Sequence, residues 1–427
     1  MLMPTNSHLL RESGVRSPFN PTTKRAEGDK ARLVDLIWNM TLICPWDCKI
    51  CCVDAVHARK RGGQIEVRED GLNSQENFQF TPGKLNVFEQ AMLRRQQQGL
   101  ELDLAGKLRI LDHLKGFDAK LDFSGGDPLI AEENIEVMRA AARRFGRERV
   151  TVTATGPGLA RYSPQVLAAV VGELNFTFDG PDYSGGVTRP DGYAQSNLRK
   201  ARALAQVGVK TRAELPLTLS NIDPETLRRI YSDLNEAGIH KLLVMRLFPV
   251  GRGSSSEADM PNPEQYRAAI HWLRELEEHF GHPRLKLQCA LRFFDQPNLT
   301  ENPCDLFRES FGLMADGTLL ASSWAINGHG KPLDDAWVLG NLANTPLMEL
   351  LNSPKAQEFA SRLNENFGHC KIHSFLNSPK SDPMDRIFDS TDPMYSPNGR
   401  VRVNVTSDLI QIGSLSRATS VAREGLC

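Results

Sequence analysis

The sequence predicts an α/β protein of about six β/α units with parallel strands, followed by a smaller α+β unit. Three observations predict it. From residue 32 to about 251, short apolar runs alternate with amphipathic stretches. Turn and cap signals separate those stretches. The residues that look chemically special fall at or near the C-terminal ends of the apolar runs, where functional groups of parallel sheets gather.

The elements follow in order. Residues 33–43 (LVDLIWNMTLI) read as a buried strand that leads into a group of cysteines. Residues 104–114 have helical spacing and stop at Gly116. Residues 120–123 form a strand running into Ser124-Gly125-Gly126-Asp127-Pro128. A helix over 135–145 and a strand over 150–154 come next. Then follow a helix at 164–171, a strand at 174–178, a helix at 194–207 and a strand at 209–219. The next helix carries Asp223 as cap, Pro224 at its first position and Gly238 at its end. Residues 241–248 (KLLVMRLF) form the last strand of the series, ending at Pro249-Val250-Gly251-Arg252.

The remaining stretches define the organisation. Residues 1–30 mix Pro, Ser, Asn, Arg and Lys, lack an apolar core typical of a secretory signal, and read as a flexible arm. Residues 31–253 form the main unit. Within it, 57–100 is an insertion with a basic patch (His57, Arg59, Lys60, Arg61) and a Gly62-Gly63 pair. It reads as a lid, a substrate-contact loop or a merely solvated insertion. Residues 254–282 are a linker and helix, 283–376 a second unit, and 377–427 a loosely ordered tail with a strand at 401–405.

The chain has 427 residues and a formal net charge of −1. That balance does not call for a polyanionic partner or a membrane surface. No run of about 18 apolar residues is present, so no spanning helix is expected. Four of the eight cysteines fall between positions 44 and 52. A chain this long needs no disulfide staples, so the group reads as metal-binding or redox-active in a reducing cytoplasm.

Cys44-Pro45-Trp46-Asp47-Cys48-Lys49-Ile50-Cys51 has the spacing CxxxCxxC. A tight loop of this kind brings three thiolates to three irons of a cubane and leaves the fourth iron open. Zinc is the alternative, with Cys52 or His57 as fourth ligand. A redox pair at Cys48 and Cys51 is another, without the surrounding context such pairs need.

This spacing is the signature that the radical S-adenosylmethionine (SAM) superfamily carries, and the resemblance covers 32–251. It implies a partial (β/α)6, TIM-like barrel, a [4Fe–4S] cluster on Cys44, Cys48 and Cys51, and SAM as cofactor. It also implies an electron donor such as flavodoxin or ferredoxin. Ile50 stands where the family usually has an aromatic residue against the adenine. Gly125, Gly126 and Asp127 resemble the GGE motif that receives the SAM amino group, with Asp in place of Glu. Residues 176–181 (FTFDGP) resemble an "SLDG" strand end, with Thr177 facing SAM. Arg189 resembles a downstream arginine for the SAM carboxylate. Glu214, seven residues before Asn221, resembles the ribose contact. Arg246 and the Pro249–Arg252 run match the "P-x-GR" ending of the last barrel strand, with Arg246 turned toward the barrel mouth. Asp179 is the candidate general base.

Residues 304–351 resemble the SPASM framework, which usually holds auxiliary iron–sulfur clusters. Here it is depleted: Ser322 or Ser323 replaces the hairpin cysteine, and the late run keeps only Cys370. Cys304, Cys370, His369 and His373 are the remaining candidate ligands. The resemblance implies a smaller α+β SPASM-like domain that has lost its clusters and acts as a scaffold and lid. Trp324, His329 and Trp337 are candidates for lining its pocket.

The expected function is therefore reductive cleavage of SAM and hydrogen abstraction from a substrate. SPASM-type relatives act mostly on peptide or protein side chains, by oxidation, crosslinking or epimerisation. A small molecule (a sugar or nucleotide) or RNA is the second reading, although no nucleic-acid-binding module is visible. A non-catalytic metal-binding protein is the third.

Overall fold

In the computed structural model, residues 32–180, 189–255, 260–296, 302–307 and 310–395 are described. The arm at 1–30 and the strand expected at 401–405 lie outside them. Fourteen strands are present among the described residues: β1 (Arg32–Thr41), β2 (Ile43–Cys44), β3 (Val56–Arg61), β4 (Gln64–Glu69), β5 (Ser74–Gln79), β6 (Phe117–Gly125), β7 (Val150–Thr153), β8 (Glu173–Thr177), β9 (Lys210–Leu217), β10 (Lys241–Arg246), β11 (Arg284–Leu287), β12 (Phe311–Leu313), β13 (Thr318–Leu320) and β14 (Val338–Asn341).

Ten of them form one sheet in the order β11-β10-β9-β8-β7-β6-β1-β12-β13-β14. Neighbours from β11 through β12 pair in parallel, and β12–β13–β14 pair antiparallel. The chain is therefore an α/β fold around a large, mostly parallel sheet. The β/α series read from the sequence lies inside it, each strand within a few residues of its expected position.

Alternation decides which face is which. Leu36 and Trp38 of β1, Leu121 and Phe123 of β6, Phe176 of β8 and Leu215 of β9 are all completely buried. They share one core with helix residues such as Ile110, Ile135, Met138 and Leu234. Each such side chain stabilises by about 1.5–3 kcal/mol relative to an exposed one. Many of the intervening positions, which face the other way, are polar, among them Asp35, Lys120, Asp122, Asn175, Arg212 and Lys241.

Three expectations are corrected here. The helix Pro263–Phe280 is not a linker to a separate unit. It is the crossover between β10 and β11, which pair in parallel from Lys241↔Arg284 to Val244↔Leu287. Among the described residues, the later segment's strands belong to the main sheet too, because β12 adds to the edge of β1 at Leu36↔Phe311. The third correction concerns 57–100. It holds an antiparallel meander, β3–β4–β5, joined to β2 in a four-stranded sheet. Gly62 and Gly63, both at positive φ, close the first hairpin between Arg61 and Gln64. Ile65, Val67, Val56 and Ala58 pack with Ala91 and Met92 of the helix Val87–Gln97. The charges at the exposed end of β3 (Arg59, Lys60, Arg61) hide this pattern in the sequence.

The start of the tail is also built in. Residues 378–395 include the helix Pro383–Phe388, whose Ile387 and Phe388 are buried.

Candidate active site at the cysteine loop

β1 and β2 deliver the first cysteine. Cys44 ends β2, opposite His57 of β3. Cys44 and Cys48 are buried and Cys51 is half-buried; all three are free thiols. Cys48 and Cys51 are close enough to raise the pKa of Cys44, and Cys51 that of Cys48. Burial is the larger cause: it pushes Cys44 far up, with Asp127 adding to it, and it raises Cys48. Bare thiols in this pocket resist ionising. Such a site suits a cationic metal centre that compensates the thiolate charge.

The loop from Pro45 to Ala55 is pinned at several points. Ala55 N–H donates to Cys51 Sγ at 3.3 Å, and Asp54 N–H to Cys51 O at 3.3 Å. Arg252 reaches in from beyond β10. Its Nε donates to Cys48 O at 2.7 Å and its Nη1 to Ala55 O at 2.9 Å. Ile50 is buried in the loop, 3.8 Å from where a side chain on Gly253 would begin.

The end of β6 lies directly against the cysteine-bearing strands. Gly126 N–H donates to Thr41 O at 2.8 Å and Asp127 N–H to Ile43 O at 2.9 Å. A Cβ on Gly125 would sit 2.2 Å from Thr41 O, and one on Gly126 would sit 2.2 Å from Ile43 O. Only glycine allows this approach. The Asp127 carboxylate is fully buried and engaged by the chain itself. It accepts from Thr155 Oγ1 at 2.7 Å, Gly158 N at 2.9 Å and Leu129 N at 3.2 Å. Burial pushes its pKa up to about 6 against the pull of these bonds. What this strand end leaves to a ligand is therefore backbone, with Asp127 as a buttress behind it.

Arg189 and Asp179 are brought to the loop as a pair. Arg189 Nε donates to Asp179 Oδ2 at 2.8 Å, and both side chains are buried. The guanidinium also hydrogen-bonds Cys48 and lies 5.3 Å from the Tyr193 ring centre. Burial works against its charge, but Asp179, Tyr193 and Cys48 together outweigh it and keep it protonated. Trp46 of the loop meets Tyr193 edge-on at 5.5 Å. Asp179, the expected general base, is buried with Oδ2 engaged in this ion pair.

Thr177 ends β8 in register with Glu214 of β9. Its carbonyl accepts from Asn197 Nδ2 at 3.1 Å. Glu214 accepts from Arg212 Nη2 at 3.2 Å, and burial raises its pKa despite that cation. It lies near enough to the Cys52 thiol to raise it. Asn221 donates to Asp179 O at 3.0 Å and so supports the Arg189–Asp179 pair from behind.

Arg246 is the expected site residue that the fold does not bring to the loop. It is buried, donating Nη1 to Asp392 Oδ2 at 2.6 Å and backbone N–H to Gln288 Oε1 at 2.9 Å. Its acidic partner lies 146 residues further on, so the sequence offered no sign of it.

Of a second group of thiols, sequence reasoning named Cys304 and Cys370 and passed over Cys289. Cys289, Cys304 and Cys370 come together from separate elements, beside the Asp305 carboxyl. Asp305 hydrogen-bonds Cys289. Burial pushes Cys370 up to about 12, with Asp392 next in effect. His369 accepts at Nδ1 from Asp392 N–H at 3.0 Å. His373 is buried, and burial lowers its pKa to about 3. Its ring lies 5.1 Å from that of Phe248, which stacks on Trp324 at 4.4 Å. Trp337 is completely buried in the core, and His329 pairs with Asp70. Among the described residues, no three His, Cys, Asp or Glu side chains converge as tightly as a single metal ion requires.

No family model matches the chain. A GTP 3′,8-cyclase 2 of Mycobacterium tuberculosis is 31% identical over 137 residues, which is 31% of this chain and 37% of that protein. A GTP 3′,8-cyclase of Mycobacterium marinum is 33% identical over 131 residues, 30% of this chain and 34% of its own length. The matched part thus spans about a third of these curated relatives. Among solved structures, Streptococcus suis SuiB bound to precursor peptide SuiA has a TM-score of 0.53 at 13% identity, covering 83% of this chain and 74% of that one. Native anSMEcpe with bound AdoMet has a TM-score of 0.52 at 13% identity, covering 84% of this chain and 96% of that one. Among the described residues, no helix is long and apolar enough to cross a membrane. The mycobacterial matches and the shared fold together support the radical SAM superfamily for this chain.

Proposed function

We propose that the chain is a radical SAM enzyme acting on a peptide or protein side chain, in a reducing cytoplasm, with a flavodoxin or ferredoxin as electron donor. The observation that carries the chemistry is the pinned cysteine loop lying against the Gly125–Gly126 strand end and the Arg189–Asp179 pair. Cys44, Cys48 and Cys51 would hold the cluster through three irons. When bound, the cofactors supply one-electron cleavage of SAM and a 5′-deoxyadenosyl radical that takes hydrogen from the substrate. The chain's own residues bind and orient. Backbone at Gly125 and Gly126 receives the SAM amino group, and Arg189 offers a planar fork to its carboxylate. Ile50 covers the adenine, and Glu214, beside Thr177, takes the ribose hydroxyls.

The polar face of the sheet bears on the substrate. Lys120 pairs with Asp35 at 3.3 Å, Lys241 with Glu173 at 2.8 Å, and Arg212 with Glu214 at 3.2 Å. Asp122 is held by Thr153 Oγ1 and Asn175 Nδ2, each at 2.7 Å. These cations are already neutralised by carboxylates. A polyphosphate needs cations in excess, whereas an uncharged polar chain does not. The likeness in fold to SuiB, whose structure holds a precursor peptide, agrees with a peptide. The second reading is nucleotide modification. It is favoured by the mycobacterial matches, which are GTP 3′,8-cyclases.

Anaerobic reconstitution tests the chemistry. The expected result is a brown protein that converts SAM to 5′-deoxyadenosine under reduction. A colourless, zinc-binding product would overturn it. Supplying GTP in the same assay separates the two substrates: SAM-dependent loss of GTP would replace the peptide reading with the nucleotide one.

A further inference from the structure

We infer that Arg252 is a positioning residue for the iron–sulfur cluster, clasping the cysteine loop so that its thiolates are held in a ligating arrangement. The inference rests on the assignment of Cys44, Cys48 and Cys51 as ligands. Arg252 touches the loop at four residues. Nε donates to Cys48 O at 2.7 Å and Nη1 to Ala55 O at 2.9 Å. Its backbone N–H donates to Cys51 O at 2.8 Å. Two of the three ligand residues are thus held by one arginine, and the guanidinium plane spans the loop from Cys48 to its far end. Asp54, itself in the loop, accepts from Nη1 at 3.2 Å. Both charged side chains are buried, with relative exposures of 3% and 2%.

The clasp is anchored on its other side. Gly251, at φ +56°, lies so close to the loop that a Cβ would sit 2.3 Å from the Cys52 carbonyl carbon. Its N–H donates to Ile326 O at 3.0 Å, and Ser254 Oγ donates to its carbonyl at 2.7 Å. Asp54 Oδ2 accepts from Gly71 N–H at 3.0 Å, tying the loop to the turn between β4 and β5. The loop geometry is therefore set by a turn 204 residues away in sequence from Cys48. A planar fork fixes two carbonyls at once, whereas a lysine presents one point charge.

The test uses full-length reconstituted holoprotein. Arg252→Gln, Arg252→Lys and Asp54→Asn are compared with the unaltered protein. The readouts are iron release into a chelator, the electron paramagnetic resonance spectrum of the reduced cluster, and its midpoint potential. Removing charge-assisted bonds to two carbonyls should speed iron release about tenfold or more in Arg252→Gln. The spectrum should broaden or shift, and Arg252→Lys should recover part of the difference. Far-UV circular dichroism of the folded variants should stay close to that of the unaltered protein, while apoprotein melting should fall in Arg252→Gln, which leaves the buried Asp54 without its partner. Asp54→Asn keeps the arginine and an acceptor oxygen. It should fold even if Arg252→Gln does not, and should release iron several-fold faster. Unaltered iron release and an unaltered spectrum in the folded variants would overturn the clasp. Failure of the unaltered protein to take up a cluster would instead overturn the ligand assignment beneath it.

Discussion

Two groups of three cysteines lie in this molecule, and they are built in opposite ways. Cys44, Cys48 and Cys51 sit on one loop, spaced by the chain itself. They are surrounded by fixed backbone: the β6 strand end, the Arg252 clasp and the Arg189–Asp179 pair. Cys289, Cys304 and Cys370 come from three distant segments and meet only in the folded chain. The largest charge effects on Cys289 and Cys370 come from carboxylates, with Arg246 partly offsetting Asp392 at Cys370. A cubane site needs thiolates that something positive stabilises. The first group has Arg189 against one thiol. The second faces Asp305 and Asp392, which oppose thiolate formation. Three cysteines in proximity are therefore not equivalent to a cluster motif.

The sharpest way to break this comparison is to remove the first group. Replacing Cys44, Cys48 and Cys51 with Ala should abolish both the brown colour and SAM cleavage, with iron falling from about four per chain to near zero. Iron retained in that variant would move to the Cys289–Cys304–Cys370 group and make the two equivalent. The next effect concerns the support of the second group. Asp392→Ala leaves the Arg246 charge buried without its partner. Its cost should be about 3–5 kcal/mol in chemical denaturation, whereas Arg246→Met combined with Asp392→Leu should cost far less. An exposed pair would lose no more than about 1 kcal/mol.

Arg189 offers a smaller effect on the first group. Arg189→Ala should weaken SAM binding about 10- to 100-fold by calorimetry on the reconstituted protein, the loss of one or two charge-assisted bonds. Full retention of affinity would leave Arg189 as a partner of Cys48 and Asp179 only. The smallest effect reads the thiols of the apoprotein directly. A thiol whose pKa is raised stays protonated, and so unreactive, until pH approaches the raised value. Cys370, pushed up to about 12, should alkylate at least about tenfold slower at pH 8 than a free cysteine. Its rate should keep climbing through pH 10 instead of levelling near 8.5. Mass-spectrometric mapping of the labelled positions checks this, and rapid labelling of Cys370 would show that the second group is open.

Much of the fold was legible in the sequence. The helix expected within 254–282 runs over Pro263–Phe280, because Asn262 caps it and Gly281 closes it with a left-handed turn. The helix Pro224–Glu236 shows the same use of Asp223 and Pro224. The meander at 56–79 was not read, because charged residues at its exposed positions masked a period-two pattern that the Gly62–Gly63 turn does announce. Arg246 was read as a ligand contact because an arginine at a strand end has no local mark of an acidic partner in the tail. Asp54, which pairs with Arg252, was missed for the same reason.

The sequence by itself determined what depends on neighbours in the chain. These are the strands and helices of the main series, the three-cysteine spacing, and the two glycines where β6 meets β1. Periodicity, caps and tight loops involve residues a few positions apart, and their signals survive in one dimension. Tertiary structure alone decided that β11 and β12 extend one sheet on either side of the series. It alone decided that Arg252 holds the cysteine loop, that Arg246 binds Asp392, and that Cys289, Cys304 and Cys370 meet. Each of those contacts joins residues brought together by packing, and the side chains involved carry no local pattern that names their partner.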